Sequence, residues 1–445
     1  MRPAAFVPVK KKQKQKEDGG PIGRPPGVPI NFIVIEGESY MEQQQLQNIL
    51  EILSTIGEGL NYLQAHEDTA VTQAVMEGRR AVTLQIEKAV GDTLARRVNA
   101  DALPDAEWLG VAYRIVEQLA DPFQPQNAFD TEFLNFLEYI WQHTEAALVQ
   151  QMKGVLQEWK KTPQGKETCK SFVTYFERFP LWGTMHPERG DFDTLKRRAI
   201  VLKRHSYDFL WLYRRLDDYL SRRTLSAILI NWAVLDLNYP QKVKSIFPDY
   251  WEPDLFPDNK DDILVDVGAY VGDSIVQYVH VYGDSYKKIY TYEVSPESCE
   301  TMRDNIEKMG LHDVIIRNKG AGSQRGKMFL SRSDTDASAN QLSADKAAGQ
   351  RIEVVPLDED IPEKITFLKM DIEGAEWDAL LGCERIISQD HPKLAICVYH
   401  GYDDLWRIPA LIDSMYPGYE FYLRHYGGNL IPTEFVLLCR PKGKM

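Results

Sequence analysis

The feature that most restricts this chain is a change of periodicity at Ile263. Upstream, apolar residues recur three and four apart; downstream, short β-rich runs alternate with helical stretches. The runs cover 263–267, 288–293, 314–318, 352–355, 365–370, 393–398, 419–423 and 435–438. Such alternation predicts a parallel sheet with helices on both faces. The last two runs, joined through Gly427-Gly428-Asn429, read as a hairpin on the sheet edge. The first run is the most informative, because Ile263-Leu264-Val265-Asp266-Val267 ends directly in Gly268, with Gly272 four residues on and Asp273-Ser274 opening a helix. Two glycines in such a turn let backbone approach a ligand without a Cβ in the way, and Asp273 suits a helix start.

Upstream of this change the chain reads as helical. Leu46, Ile49, Leu50, Leu53, Ile56, Leu60 and Leu63 form one apolar stripe, a second helical stretch runs over 69–97, and a third helix spans 129–160. The stretch 194–237 interleaves Phe209, Trp211, Tyr213, Tyr219 and Trp232 with Arg197, Arg198, Arg204, Arg214, Arg215, Arg222 and Arg223. Its aromatics are expected in a core and its arginines against water or carboxylates, as a helical lid on the domain that follows. Residues 1–30 mix lysines with prolines and glycines and read as a flexible basic tail. The expected divisions are therefore this tail, a helical domain over 31–165, a helical linker or lid over 166–250, and an α/β domain over 251–445. The stripe over 46–63 is expected to pack in a core; its spacing also resembles a coiled-coil seam, through which it would pair with the second stretch or with a second copy of the chain.

Charge and composition narrow the function. A formal charge of -13 opposes global attraction to nucleic acid or anionic lipid. The longest apolar stretch, 225–237, is interrupted by Ser226, Asn231 and Asp236 and falls short of the roughly 18 residues of a membrane span, so a buried helix is expected. Cys169, Cys299, Cys383, Cys397 and Cys439 contain no C-x-x-C pair, and no apolar segment backs the N-terminal charges. Reduced thiols, no secretory signal and a cytoplasmic location are the expectation.

The glycine loop lacks the G-x-G-x-x-G order of dinucleotide folds, and Asp266 already stands inside the strand. An acid there suits a cationic ligand, and S-adenosylmethionine carries a sulfonium and an ammonium but no pyrophosphate. Glu293, 21 residues beyond Gly272, closes the next β run, where a carboxylate can take both ribose hydroxyls. The turn Asn318-Lys319-Gly320-Ala321 offers small, polar residues to an adenine ring, and Asp371, Glu373 and Glu376 gather at the mouth of the same crevice. The expected cofactor contacts are Asp266, Gly268, Ala269, Tyr270, Gly272, Asp273, Glu293, Asn318, Gly320, Ala321 and Asp371. Candidates for a catalytic base are Asp371, Glu373, His400 and His425, each following a β run on the ligand side. Asp371 and Glu373 also suit Mg²⁺, but no third ligand with clear spacing accompanies them, so no metal is expected.

The tandem of Val265-Asp266-Val267-Gly268 with Gly272-Asp273, then Tyr292-Glu293 with Ser295-Pro296, Pro356-Leu357-Asp358, and Lys369-Met370-Asp371-Ile372-Glu373-Gly374-Ala375-Glu376-Trp377 resembles the FkbM family of methyltransferases. The ending Tyr422-Leu423-Arg424-His425-Tyr426 agrees with it, and the resemblance covers about residues 250–440. It implies a class I, Rossmann-like methyltransferase fold with a seven-stranded sheet at the C-terminus, preceded here by a mostly helical region without counterpart in the family. It further implies an S-adenosylmethionine-dependent O-methyltransferase acting on a hydroxyl of a sugar, glycan or secondary metabolite. Two rival readings are an NAD-dependent oxidoreductase, opposed by the glycine order, and a non-catalytic helical scaffold, opposed by the retention of Asp266, Gly268, Gly272 and Glu293.

Overall fold

The computed structural model describes residues 43–443 apart from 91–93, 259, 332–340, 344–349 and 429–430, so the expected basic tail lies outside the described residues. Seven strands form the central sheet: β1 (Ile263–Val267), β2 (Lys288–Tyr292), β3 (Val314–Arg317), β4 (Phe367–Met370), β5 (Lys393–Cys397), β6 (Tyr419–His425) and β7 (Phe435–Pro441). Their order across the sheet is β6-β7-β5-β4-β1-β2-β3. Only β7 runs antiparallel to its neighbours β5 and β6, which fits the hairpin read from the sequence. Every residue of β1 and β4 is buried, because both faces of the sheet are covered, and this explains their unbroken apolar runs. The chain leaves β1 toward β2 and β3 and returns on the other side as β4. A crevice therefore opens beyond the carboxyl ends of β1 and β4, where ligands of open α/β sheets bind.

The eighth run takes a different place. Arg351–Val355 joins a separate four-stranded sheet with Gly320–Ala321, Gly326–Ser331 and Gln341–Ser343. Its first three residues alternate in exposure, as befits a sheet with a wet face, and its parallel pairing with Gly320–Ala321 fixes that turn beside the crevice.

The helical part also departs from its sequence pattern. The helix expected over 129–160 is two, Ala128–Gln142 and Glu145–Trp159. Thr144 ends the continuity by accepting the Ala147 N–H at 3.2 Å, with Glu145 in the new first turn, a start signal stronger than the apolar period running through it. Likewise 69–97 divides into Thr69–Val90 and Leu94–Val98. The basic and aromatic stretch forms three helices, Asp193–Arg204, Ser206–Arg215 and Tyr219–Val234. Phe209, Tyr213 and Trp232 are buried, while Arg204, Arg214, Arg215 and Arg223 face Glu145, Asp121, Asp413 and Glu132.

These helices occupy the edge that β6 would otherwise leave open. Asp217 N–H donates to Phe421 O at 2.9 Å, the Asp217 carboxylate accepts Phe421 N–H at 2.7 Å, and Ser221 Oγ accepts Leu423 N–H at 2.9 Å. Unpaired edge groups are thereby satisfied and the helical part is tied to the sheet. All five cysteines are buried and unpaired, and among the described residues no helix is long and apolar enough to cross a membrane.

Candidate active site

The register of β1 against β4 sets Asp266 opposite Lys369 and Val267 opposite Met370. Gly268 and Asp371 consequently emerge side by side. Gly268 has φ +79°, and a Cβ there would lie 1.8 Å from the Asp371 carbonyl oxygen, so the two segments can touch only because this residue is glycine. Glu293 at the end of β2 is clamped by backbone: Tyr270 N–H donates to Oε2 at 2.9 Å and Ser295 N–H to Oε1 at 2.7 Å. Burial raises its carboxyl above the usual range, and the two N–H donors oppose that shift. Its remaining lone pairs face the crevice.

Across the crevice, the chain from Asp371 to Glu376 folds into a tight loop with φ +57° at Glu373 and +98° at Gly374. Glu376 holds the loop closed by accepting Ile372 N–H at 2.8 Å and Gly374 N–H at 3.0 Å. Tyr250 donates its hydroxyl to Asp371 Oδ2 at 2.6 Å. His400, 2% exposed just after β5, points Nε2 at Asp371 Oδ1 (3.5 Å) and Glu373 Oε2 (3.6 Å), with Nδ1 2.9 Å from Glu376 Oε1. Burial alone would depress its pKa, but Glu376, Asp371 and Glu373 together push it up to about 10. Asp371, which burial would raise, is instead held below the usual carboxylate range by His400, Lys369 and Tyr250.

These elements enclose a cavity of about 420 Å³. Gly268, Tyr270, Asp273, Glu293, Gly320 and Ala321 line one side, and Asp371 and Glu373 another. The sequence-predicted residues that line no part of it are Asp266, Ala269, Gly272, Asn318, His400 and His425. Asp266 corrects the expectation of direct contact with a cationic ligand. It is fully buried, its carboxylate engages Lys369 Nζ at 2.9 Å and the Ser274 hydroxyl, and Lys369 in turn donates to Gly268 O at 2.9 Å. Gly272 serves packing, since a Cβ there would meet Met302 Cγ at 2.9 Å. Ala269 is buried beneath the loop, and Asn318 spends its amide on the carbonyls of Glu293 and Val294. His400 stands behind Asp371 and Glu373. His425 closes the β6–β7 hairpin, its Nδ1 2.9 Å from Thr433 O.

Several wall residues escaped the sequence reading. Lys369 carried a signal, a lone charge inside an apolar strand. Tyr250 and Glu434 carried none, as both lie in loops with positive φ. Burial, with the charge of Asp371 adding to it, pushes the Glu434 carboxyl up to about 7. Tyr175, Phe179 and Trp182 come from the helical part, and Trp182 Nε1 donates to Tyr399 O at 2.6 Å, which fastens this aromatic wall to the end of β5.

Residues 266–427 match the family model of the methyltransferase FkbM domain. Among solved structures, the chain is similar to a methyltransferase FkbM from Methylobacillus flagellatus KT, with 25% identity, 56% of this chain and 63% of that chain covered, and a TM-score of 0.45. It is also similar to an rRNA methylase from Streptococcus thermophilus, with 14% identity, 41% and 88% covered, and a TM-score of 0.27. A methyltransferase from Streptococcus mutans in complex with SAH is similar at 16% identity, 41% and 88% covered, and a TM-score of 0.26. No curated protein matches the chain.

Proposed function

Because residues 266–427 form a methyltransferase FkbM domain, whose cofactor is S-adenosylmethionine, we propose that this protein methylates a hydroxyl group of a sugar, glycan or secondary metabolite. The observation that carries the reading is the cavity at the switch point of the sheet, with backbone-clamped Glu293 on one side and Asp371 and Glu373 on the other. Its volume of about 420 Å³ lies in the range of small-molecule sites, roughly 300–1,000 Å³. Gly268 gives a ligand access to backbone, and Gly320 and Ala321 leave room for a flat ring.

When bound, S-adenosylmethionine supplies an electrophilic methyl group. In-line displacement needs little covalent help, so the work of the chain is to orient the acceptor and accept its proton. Asp371, ionised through its neighbours, accepts the acceptor's O–H and fixes the direction of attack. Glu373, on the same wall, takes the proton. Tyr175, Phe179 and Trp182 add flat apolar faces to the cavity that these carboxylates line, a combination that suits a hydroxylated ring. The stripe of helix Gln43–Leu63 buries Ile49, Leu53 and Ile56 within the chain, so pairing of two copies, as part of the same reading, would rest on the outward Leu50, Met76 and Leu84.

Calorimetry with S-adenosylhomocysteine is expected to give one site per chain, and a cell extract incubated with protein and methyl-labelled cofactor to yield a labelled methyl ether. Binding of NAD in place of S-adenosylhomocysteine would overturn the methyltransferase reading, and label on nitrogen or carbon the hydroxyl acceptor.

A further inference from the structure

The end of β5 brings His400 beside Asp371 and Glu373 in the loop after β4, a third group that sequence spacing did not join to them. One ligand atom each from Asp371, Glu373 and His400 lies within 4.8 Å of the other two. We propose that these three residues bind a divalent cation of the Mn²⁺ or Mg²⁺ class, and that the cation holds the acceptor oxygen. Its role, though not its existence, rests on the methyl-transfer reading above.

The geometry is that of a ligand set. His400 Nε2 stands 3.5 Å from Asp371 Oδ1 and 3.6 Å from Glu373 Oε2. Ligand atoms at about 2.0–2.4 Å around one cation are separated from each other by roughly 3–3.6 Å, which the two distances from His400 already match, while the carboxylate oxygens of Asp371 and Glu373 lie within 4.8 Å of each other. The orientation of the imidazole agrees. Its Nδ1 faces Glu376 Oε1 at 2.9 Å, and Glu376 is itself fixed by two backbone N–H groups and 1% exposed. A carboxylate beside Nδ1 favours the tautomer that presents the Nε2 lone pair to a metal. Both imidazole nitrogens are buried without a well-directed hydrogen bond, and so is Asp371 Oδ1, which leaves Nε2 and Oδ1 available to a cation. Tyr250 occupies the other oxygen of Asp371 and so turns Oδ1 toward His400.

The arrangement also has an open side. His400 closes the rear, whereas Asp371 and Glu373 line the cavity, so the remaining coordination positions face the acceptor. One imidazole and two carboxylates form a mainly hard donor set, suited to Mn²⁺ and Mg²⁺ rather than to thiophilic ions. With the cation bound, Asp371 and Glu373 act on the acceptor through it rather than directly: the cation lowers the pKa of the bound hydroxyl, and the proton leaves to the medium or to Glu434 in the cavity wall.

The test uses the full chain, stripped with chelator and titrated with Mn²⁺ alone by electron paramagnetic resonance, alongside calorimetry with S-adenosylhomocysteine. One saturable Mn²⁺ site, displaced by excess Mg²⁺, is expected. His400→Ala and Glu373→Gln should each weaken it by about tenfold or more. Circular dichroism of both variants reports folding, and Glu373→Gln keeps the volume of the side chain should His400→Ala not fold. S-adenosylhomocysteine affinity should stay within about twofold in Glu373→Gln. Absence of a Mn²⁺ site in protein that binds S-adenosylhomocysteine would overturn the cation and leave His400 as an imidazolium among carboxylates. So would a Mn²⁺ site indifferent to both substitutions. Mn²⁺ bound at these residues without S-adenosylhomocysteine binding would support the cation and refute methyl transfer.

Discussion

The two walls of the cavity are built in opposite ways. The wall around Gly268 and Glu293 is made of short segments at the carboxyl ends of adjacent parallel strands, and its contacts are largely backbone. The facing wall collects side chains from positions as distant as Tyr175, Trp182, Tyr250, Tyr399 and Glu434, with His400 behind Asp371, and its contacts are side-chain ones. A backbone-built wall depends on φ and on the absence of a Cβ, whereas a side-chain wall depends on packing of remote elements. Substitutions should therefore act differently on the two.

The largest effect is expected at the seam between them. Gly268→Ala places a Cβ 1.8 Å from Asp371 O at φ +79°, so both strand ends must move apart. The cost should reach about 4 kcal/mol by overpacking plus left-handed strain, and S-adenosylhomocysteine binding should weaken more than a hundredfold. Gly310→Ala is the comparison: it shares a positive φ, +65°, but its Cβ meets nothing within 4 Å, and about 1–2 kcal/mol of strain is all that is expected. Urea unfolding with calorimetry measures both. Equal losses would show that the clash at Asp371 does not set the seam.

Second in size is Glu293→Gln, which keeps shape but puts an amide nitrogen against one of two backbone donors. Affinity for S-adenosylhomocysteine should fall by about 2–3 kcal/mol, while the acceptor KM stays within about twofold. An altered KM with intact cofactor affinity would exchange the roles of the walls. Glu293 and Gly268 could be found from sequence because strand, turn and acid follow one another at fixed spacing. The seven-stranded sheet was legible for the same reason, since each doubly covered strand is an unbroken apolar run. Asp266 is legible as an acid in the strand, but its partner is not: Lys369, one strand away, lies directly opposite and pairs with it. Tyr250, Glu434 and the aromatic wall were invisible, because loops with positive φ and inter-element contacts leave no period. The break at Thr144 is masked in the sequence by an apolar stripe that runs on through the capping residue.

Third is the pH response of the sheet edge, which tests whether β6 is as rigidly determined as β1. Burial, against the help of the Thr433 carbonyl, lowers the pKa of His425 to about 4. The unfolded chain takes up this proton near pH 6.5, the folded chain only near 4, so the contribution is complete above about 6.5 and is lost as pH falls toward 4. About 2 kcal/mol should disappear between pH 7 and pH 4 from this group. His425→Gln lacks this titration, so the wild-type-minus-variant difference in unfolding free energy should shrink by about that amount as pH falls from 7 to 4. A difference independent of pH would mean that His425 does not stay neutral in the fold.

The smallest expected effect decides whether the helical part belongs to the site at all. Trp182 stacks on Tyr175 at 5.6 Å between ring centroids and donates to Tyr399 O at 2.6 Å, so its removal loosens the aromatic wall without touching the glycine loop. Trp182→Ala should raise the acceptor KM about tenfold, equivalent to about 1.4 kcal/mol, and leave the affinity for S-adenosylhomocysteine within about twofold. Loss of cofactor affinity as well would mean that the two walls form one cooperative unit. An unchanged KM would assign the helical part to covering the β6 edge alone, because Asp217 and Ser221 would still satisfy that edge in the variant.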